Sequence, residues 1–366
     1  MVRVFANGVL EAEYSYDVNG NRSRLWYANG VETTYRFNRA NLVTEIVNRV
    51  NGEIVSSFEY SYYLDGKMST ILENCGTITM YEYDYLRRLV REEEIGERGH
   101  FVTEYEFDKA GNRSRMVSEV DGEVSITTYV YGRNNRLLQY ETIELSTETR
   151  TMNIYEYDSN GNKMMQLTNV IEVADADSAP SFGIVLLRDG ADAEVEGCTK
   201  IFTYDILNRL VRYEATDTLA EYTYRPDSLR ISKIVNGEET RHIWDGMNMI
   251  ADVIDGNTTV FIRGINLIRS TEHGWYLFNA RGDVVQLLDN NGNIIREYRY
   301  DAFGVERFKD ENDTNPFRYT GEYFDRETGM IYLRMRFYIP HLGRFLNEDL
   351  IRDGLNWYKQ LVLELC

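Results

Sequence analysis

The chain has 366 residues, 43% of them hydrophobic and 27% charged, with only four prolines, which excludes a disordered or collagen-like polypeptide. A formal net charge of −19 argues against nucleic acid as a partner, because such a surface repels phosphate backbones. The lack of polybasic clusters argues equally against membrane association.

Tyrosine is over-represented, with 28 copies against 15 Phe and 4 Trp. It favours a pleated, half-buried surface, where the ring packs and the hydroxyl stays wet. Cys75, Cys198 and Cys366 are too scattered for a disulfide framework or a zinc site. The opening residues MVRVFANGVLEAEY lack the apolar core of a signal peptide, and no apolar run is long enough for a membrane helix. Membrane insertion is not expected, and any export information is expected elsewhere than on this chain.

One pattern recurs in chain order. It reads YSYDVNGNRSRL at Tyr14, YRFNRANLVTEI at Tyr35, YSYYLDGKMSTI at Tyr60 and YEYDYLRRLVRE at Tyr81. It continues at Tyr105, Tyr129, Tyr155, Phe202 and Tyr222, degrades at His242 to HIWDGMNMIADV, and returns at Tyr298 as YRYDAFGVERF. The period of roughly 20–25 residues lies in the range of repeat architectures. Within a copy, Tyr14 and Tyr16 are two apart and share one face of a strand. Asp17 then reaches the backbone of the following turn, Asn19-Gly20 tolerates positive φ, and Arg22 and Arg24 begin the return strand. Each copy predicts a β-hairpin.

A second turn signal separates the copies: Asn7-Gly8, Asn29-Gly30, Asn51-Gly52, Asp121-Gly122, Asn236-Gly237, Asp255-Gly256 and Asn291-Gly292. Such dipeptides between β-prone residues are strong hairpin signals. Neighbouring hairpins are expected to stack their Tyr rings into cross-strand ladders. The rhythm breaks between Tyr155 and Phe202, where an acidic stretch holds Asp175, Asp177, Asp189, Asp192, Glu194 and Glu196. It reads as a surface insertion, without the ligand spacing of a cation loop. The predicted organisation is hairpins over 1–167, the insertion over 168–200, hairpins over 201–317, a closing motif over 318–349 and a tail over 350–366.

The closing motif, RYTGEYFDRETGMIYLRMRFYIPHLGRFLNED, is dense in acids, arginines and tyrosines. Ile331, Leu333, Met335, Phe337 and Ile339 alternate with Tyr332, Arg334, Arg336 and Tyr338, which predicts one strand with an apolar face. Pro340 stops it, and His341-Leu342-Gly343 turns the chain. The arginines are expected to stack on aromatic rings and pair with nearby acids.

The Y-x-Y-D-x-x-G-N-R copies resemble the YD repeats of the Rhs (rearrangement hotspot) family, and the closing motif resembles that family's core-associated motif. The residues carrying the motif are Tyr319, Gly321, Tyr323, Asp325, Gly329, Tyr332, Arg334, Arg336, Tyr338, Pro340, Gly343, Arg344 and Phe345. The family includes bacterial polymorphic toxins, the C component of insecticidal toxin complexes and the shells of teneurins. The resemblance implies an all-β fold, a strip of hairpins wound as a spiral into part of a hollow shell. It further implies a secreted or cell-surface setting as part of a larger protein. The partners implied are an upstream shell segment and a C-terminal toxic cargo.

Two departures are visible. Ile339 stands before Pro340 where many members carry Asp, and the residues after Gly354-Leu355-Asn356-Trp357-Tyr358 do not follow the family's junction. The chain therefore reads as the C-terminal part of a shell without its cargo. Its open strand edge is expected to invite self-association.

Chemistry is sparse beside this architecture. The D-x-N-G-N sequences at Asp17 and Asp158 put Gly fourth and end on Ala28 and Asn169, unlike an EF-hand, so no metal is expected. His100, His242, His273 and His341 have no paired spacing; His242 replaces a repeat tyrosine in the core, and His341 is expected to be exposed. No nucleophile triad or phosphate loop is present, and no cofactor is expected. Glu322, Asp325 and Glu327 read as turn chemistry rather than a glycosidase pair. One enzymatic idea follows from the resemblance: self-cleavage by an acid after Gly-Arg-Phe, here Asp349, with Asp353 nearby, acting as a carboxylate pair. The leading expectation is a non-catalytic encapsulating shell. The alternatives are an adhesion or carbohydrate-binding module meeting a cell-surface glycan, and an inactive remnant of a larger gene.

Overall fold

The structure, a computed structural model, describes residues 2–172, 197–349 and 356–358. The acidic residues from Asp175 to Glu196, together with Asp353 and Cys366, lie outside them. Twenty-six strands, from Val2–Ala6 to Ile294–Glu297, form one sheet, and every pairing within it is antiparallel between sequence neighbours. The chain is all-β, a strip of hairpins wound into part of a hollow shell.

Each repeat folds for the local reasons its sequence supplies. In the strand Gly99–Phe107, Phe101, Thr103 and Tyr105 turn inward while Glu104 and Glu106 face out. The first aromatic of nearly every copy is buried: Tyr14, Tyr60, Tyr81, Tyr105, Tyr155 and Tyr222 are each 5% exposed or less. Asp17 Oδ1 accepts from the N–H groups of Asn19 and Asn21, at 2.8 and 2.9 Å, closing an Asx turn. The same pattern recurs at Asp84, Asp108 and Asp205.

The alternate turns carry paired positive φ at Asn7-Gly8, Asn51-Gly52, Asp121-Gly122, Asn236-Gly237 and Asp255-Gly256, the type I′ signature that suits strand twist. Two dipeptides differ. At Asn29-Gly30 only the glycine has positive φ, and Asn291-Gly292 belongs to an Asp-led turn, where Asp289 accepts from the N–H groups of Asn291 and Asn293.

Two features of the second aromatic are absent from the sequence reading. A bulge recurs at this residue: Ser15/Tyr16, Ser61/Tyr62, Glu106/Phe107, Val130/Tyr131, Thr203/Tyr204 and Thr223/Tyr224. A bulge bends and twists its strand. Repeated near one edge of the strip, it supplies the curvature that rolls the sheet. The second aromatic also latches onto the preceding hairpin. The hydroxyls of Tyr62, Tyr131, Tyr204 and Tyr224 donate to the carbonyls of Val43, Arg113, Lys163 and Leu210 at 2.6–2.9 Å, and Trp244 Nε1 donates to Arg230 O at 2.7 Å.

The strip rolls inward upon itself. Its late strands pass over the inner face of its early ones: Tyr27 donates to Tyr276 O, Ala280 N–H to the Tyr60 hydroxyl, and Ser56 to Gln286 Oε1. Ion pairs Arg269–Glu11, Arg299–Glu73 and Arg299–Glu94 span the same contact. The copy at Tyr298 leaves the sheet and forms a small separate hairpin, Arg299–Tyr300 with Glu306–Arg307. Strands continue through Glu172 and resume at Gly197, inside both ends of the expected insertion.

Candidate functional site

The closing motif sits against the inner face of the strip, and its side chains join a buried polar network there. The alternation over 331–339 does not form one strand. Arg334 adopts φ 60°, Met335 N–H donates to Leu333 O, and the segment folds back as Met330–Leu333 paired with Arg336–Ile339. Period-two patterning continues through a two-residue turn, so the fold-back left no trace in it. Pro340 does end the strand, and the short 3-10 turn Pro340–Leu342 closes on Gly343 at φ 63°. A side chain there would meet Arg113 and Phe303 within 3 Å.

Asp325 is the centre of the seat. It is fully buried and receives both terminal nitrogens of Arg230 at 2.7 and 2.9 Å, with Lys233 Nζ at 3.1 Å. Burial pushes its carboxyl up, but Arg230 and Lys233 outweigh that and hold it below the ordinary carboxylate range. Lys233 also pairs with Glu327 at 3.0 Å. Arg230 lies 4.3 Å over the Tyr332 ring, and its Nε donates to His242 Nε2 at 3.2 Å. His242 Nδ1 lies 2.6 Å from Asp252 Oδ1, whose other oxygen accepts from the Tyr323 hydroxyl. With Nε2 accepting from arginine, the tautomer is fixed with the proton on Nδ1. Burial lowers the His242 pKa despite Asp252. His242 is thus a hydrogen-bonded link as well as a packed core residue.

The other motif residues fix the chain beside this centre. Tyr319 and Tyr338 are buried and donate to the carbonyls of Ala302 and Phe303. Gly321 and Gly329 take positive φ at tight turns. Arg334 pairs with Glu322 at 2.7 Å, Arg336 lies 3.6 Å over the Phe345 ring, and Arg344 lies over Tyr131 and Tyr358. The arginines do stack on rings and pair with acids.

Asp349 is 28% exposed and pairs with Arg336 at 3.0 Å, while its N–H donates to Trp357 O. The adjacent Glu348 is turned away, buried against Arg136 and the Tyr358 hydroxyl. The sequence-expected partner, Asp353, lies outside the described residues. Glu322, Asp325 and Glu327 are each tied to a cation, unlike a glycosidase acid and base. Among the described residues no His/Cys/Asp/Glu group could hold a metal ion, and no helix is long and apolar enough to cross a membrane. Sequence reasoning missed Arg230, Lys233, Asp252 and Glu348. Arg230 carried one available signal, since it shares a repeat position with Arg22 and Arg113.

The rolled strip has a counterpart among solved structures. The crystal structure of TcdB2-TccC3-Cdc42 aligns over 96% of this chain with a TM-score of 0.52 at 16% identity, using 21% of that chain. The fold is shared. By sequence, the chain is similar to the tRNA3(Ser)-specific nuclease WapA of Bacillus spizizenii, 29% identical over 354 residues, covering 92% of this chain and 13% of that protein. It is also similar to the double-stranded DNA deaminase toxin A of Burkholderia cenocepacia (23% identical; 93% and 24% coverage). The toxin protein Tse5 of Pseudomonas aeruginosa is a third relative (26%; 79% and 24%). No family model matches the chain. The chain spans a quarter or less of the length of these relatives.

Proposed function

We propose that the chain is a non-catalytic shell module of an Rhs/YD-repeat polymorphic toxin, secreted or displayed as part of a larger protein. Its role is to enclose a C-terminal toxic cargo together with an upstream shell segment. The observation that carries this reading is the inward roll of the strip, with the closing motif seated on its concave face through Arg230–Asp325. A wound wall with a fixed inner end suits enclosure. An adhesion module would instead need a recognition surface on the outside.

The test fuses a protease-sensitive reporter behind Cys366 and measures its cleavage by a general protease. Protection of tenfold or more over the free reporter supports enclosure, and equal rates for the chain joined to its upstream shell segment oppose it. Sugar-specific binding on a glycan array, without protection, moves the assignment to adhesion.

Asp349 is read as the structural partner of Arg336. The purified chain is expected to keep its intact mass over days at neutral pH. A truncated product that disappears in Asp349→Asn would restore self-cleavage.

A further inference from the structure

Four copies of the repeat place a cation at the same position, the first inward-facing residue of the return strand: Arg22, Arg113, Lys163 and Arg230. Their surroundings differ. Arg230 captures the Asp325 carboxylate with two hydrogen bonds. Arg22 lies 4.2 Å over the Tyr35 ring. Arg113 lies over Tyr105 and Phe303 and donates weakly to His341 O.

Lys163 is 4% exposed and sits between Tyr155 and Phe202, at 4.8 and 4.5 Å from the ring centroids. Among the described residues the one polar contact of its Nζ is Gln166 Oε1, at 3.4 Å. Among the described residues no carboxylate lies within ion-pair distance of Lys163 or Arg113. The hydroxyl of the buried Tyr155 lies beside that of Tyr140.

We infer that Lys163, flanked by Lys200 and Arg344, is a binding site for a carboxylate-bearing peptide segment on the inner face of the strip. Arg230 shows what this repeat position does when an acid is supplied. Lys163 has the same placement with no carboxylate at ion-pair distance among the described residues, and an anionic partner would hold its buried amine, set between rings and one amide oxygen, in the charged form. Burial, then the charges of Lys200 and Arg344, hold the Lys163 pKa well below its ordinary value. His341, exposed on the turn facing this region, is shifted down by its confined surroundings and by Lys163, Lys200 and Arg113. The neighbourhood is therefore cationic inside a chain of net charge −19. The site rests on the repeat comparison and stands whether or not the chain encloses a toxin.

The test uses the full chain and two fluorescein-labelled decapeptides of Gly, Ser and Tyr, one carrying two Glu and the other two Gln at the same places. Fluorescence anisotropy at neutral pH is expected to show the Glu peptide binding at least tenfold tighter. Lys163→Met, which keeps an apolar side chain between the two rings, should abolish that preference. Lys163→Arg should retain it, and Lys109→Met, an exposed control, should leave it within twofold. Absence of a Glu preference in the native chain, or its persistence in Lys163→Met, overturns the proposal. Equal competition by inorganic phosphate and by acetate would overturn the carboxylate assignment in favour of a general oxyanion site.

Discussion

Asp325 and Arg230 are 95 residues apart in the chain, and neither side chain is exposed to solvent. A buried pair of this kind contributes little net stability against an apolar replacement, but breaking it leaves one uncompensated charge. Asp325→Asn is therefore expected to cost about 3–5 kcal/mol, read as a lower urea midpoint, because Arg230 loses its buried anion and Lys233 is left with Glu327 alone. Arg230→Met in that background should recover part of the loss; no recovery would mean that the pair does not set the stability of the seat.

Glu92 makes the opposite case. Its side chain is buried where the strand Leu89–Gly96 meets the turn after Tyr300, with Oε2 accepting from Ala302 N–H and Oε1 without a partner among the described residues. Burial, then the charge of Asp301, raises its pKa from 4.5 to about 7. The folded state thus holds a proton that the unfolded chain has released, so stability falls as pH rises between these values. Glu92→Gln should flatten the dependence of Tm on pH from about 4.5 to 7.

At the scale of the hairpin, the recurring second aromatic does two jobs through different atoms. Its backbone carries the bulge, and its hydroxyl or indole N–H ties one hairpin to the preceding one. Tyr131→Phe and Tyr224→Phe remove a single hydroxyl each while keeping the ring. Each is expected to lower stability by about 1 kcal/mol, and the two should add because the sites are far apart. A double variant no less stable than either single one would show that the latches are not independent links.

The hairpins themselves were legible. Asp17, Asn21 and Gly20 lie within five residues, so local spacing dictates the turn. The latch was not legible, because it joins Tyr131 to a carbonyl 18 residues earlier, and any residue supplies a carbonyl. The fold-back at Arg334 was hidden for a related reason: a short turn preserved the alternation, and only a positive φ at a non-glycine residue marks it. The seat of the closing motif was half legible. Its own residues stood out as a motif, while their partners at Arg230, His242 and Asp252 looked like ordinary repeat positions.

For the whole molecule, curvature and edge have a common origin in the repeat. A strip that adds identical hairpins has no internal stop, and its roll is set by bulges recurring near one side. The inner end is closed by side chains, through the staples from Arg299 to Glu73 and Glu94 and the seat around Asp325. The outer end has no such closure among the described residues. The strand Val2–Ala6 pairs with Val9–Tyr16 alone, and Val2 and Phe5 are 53% and 57% exposed on it. An edge of this kind is a template for another strand. Light scattering of the isolated chain is expected to show mass rising with concentration, and Phe5→Lys should suppress the rise by placing a charge on the pairing edge. A monomer at every concentration, or association unchanged in Phe5→Lys, would locate the contact surface elsewhere than this strand.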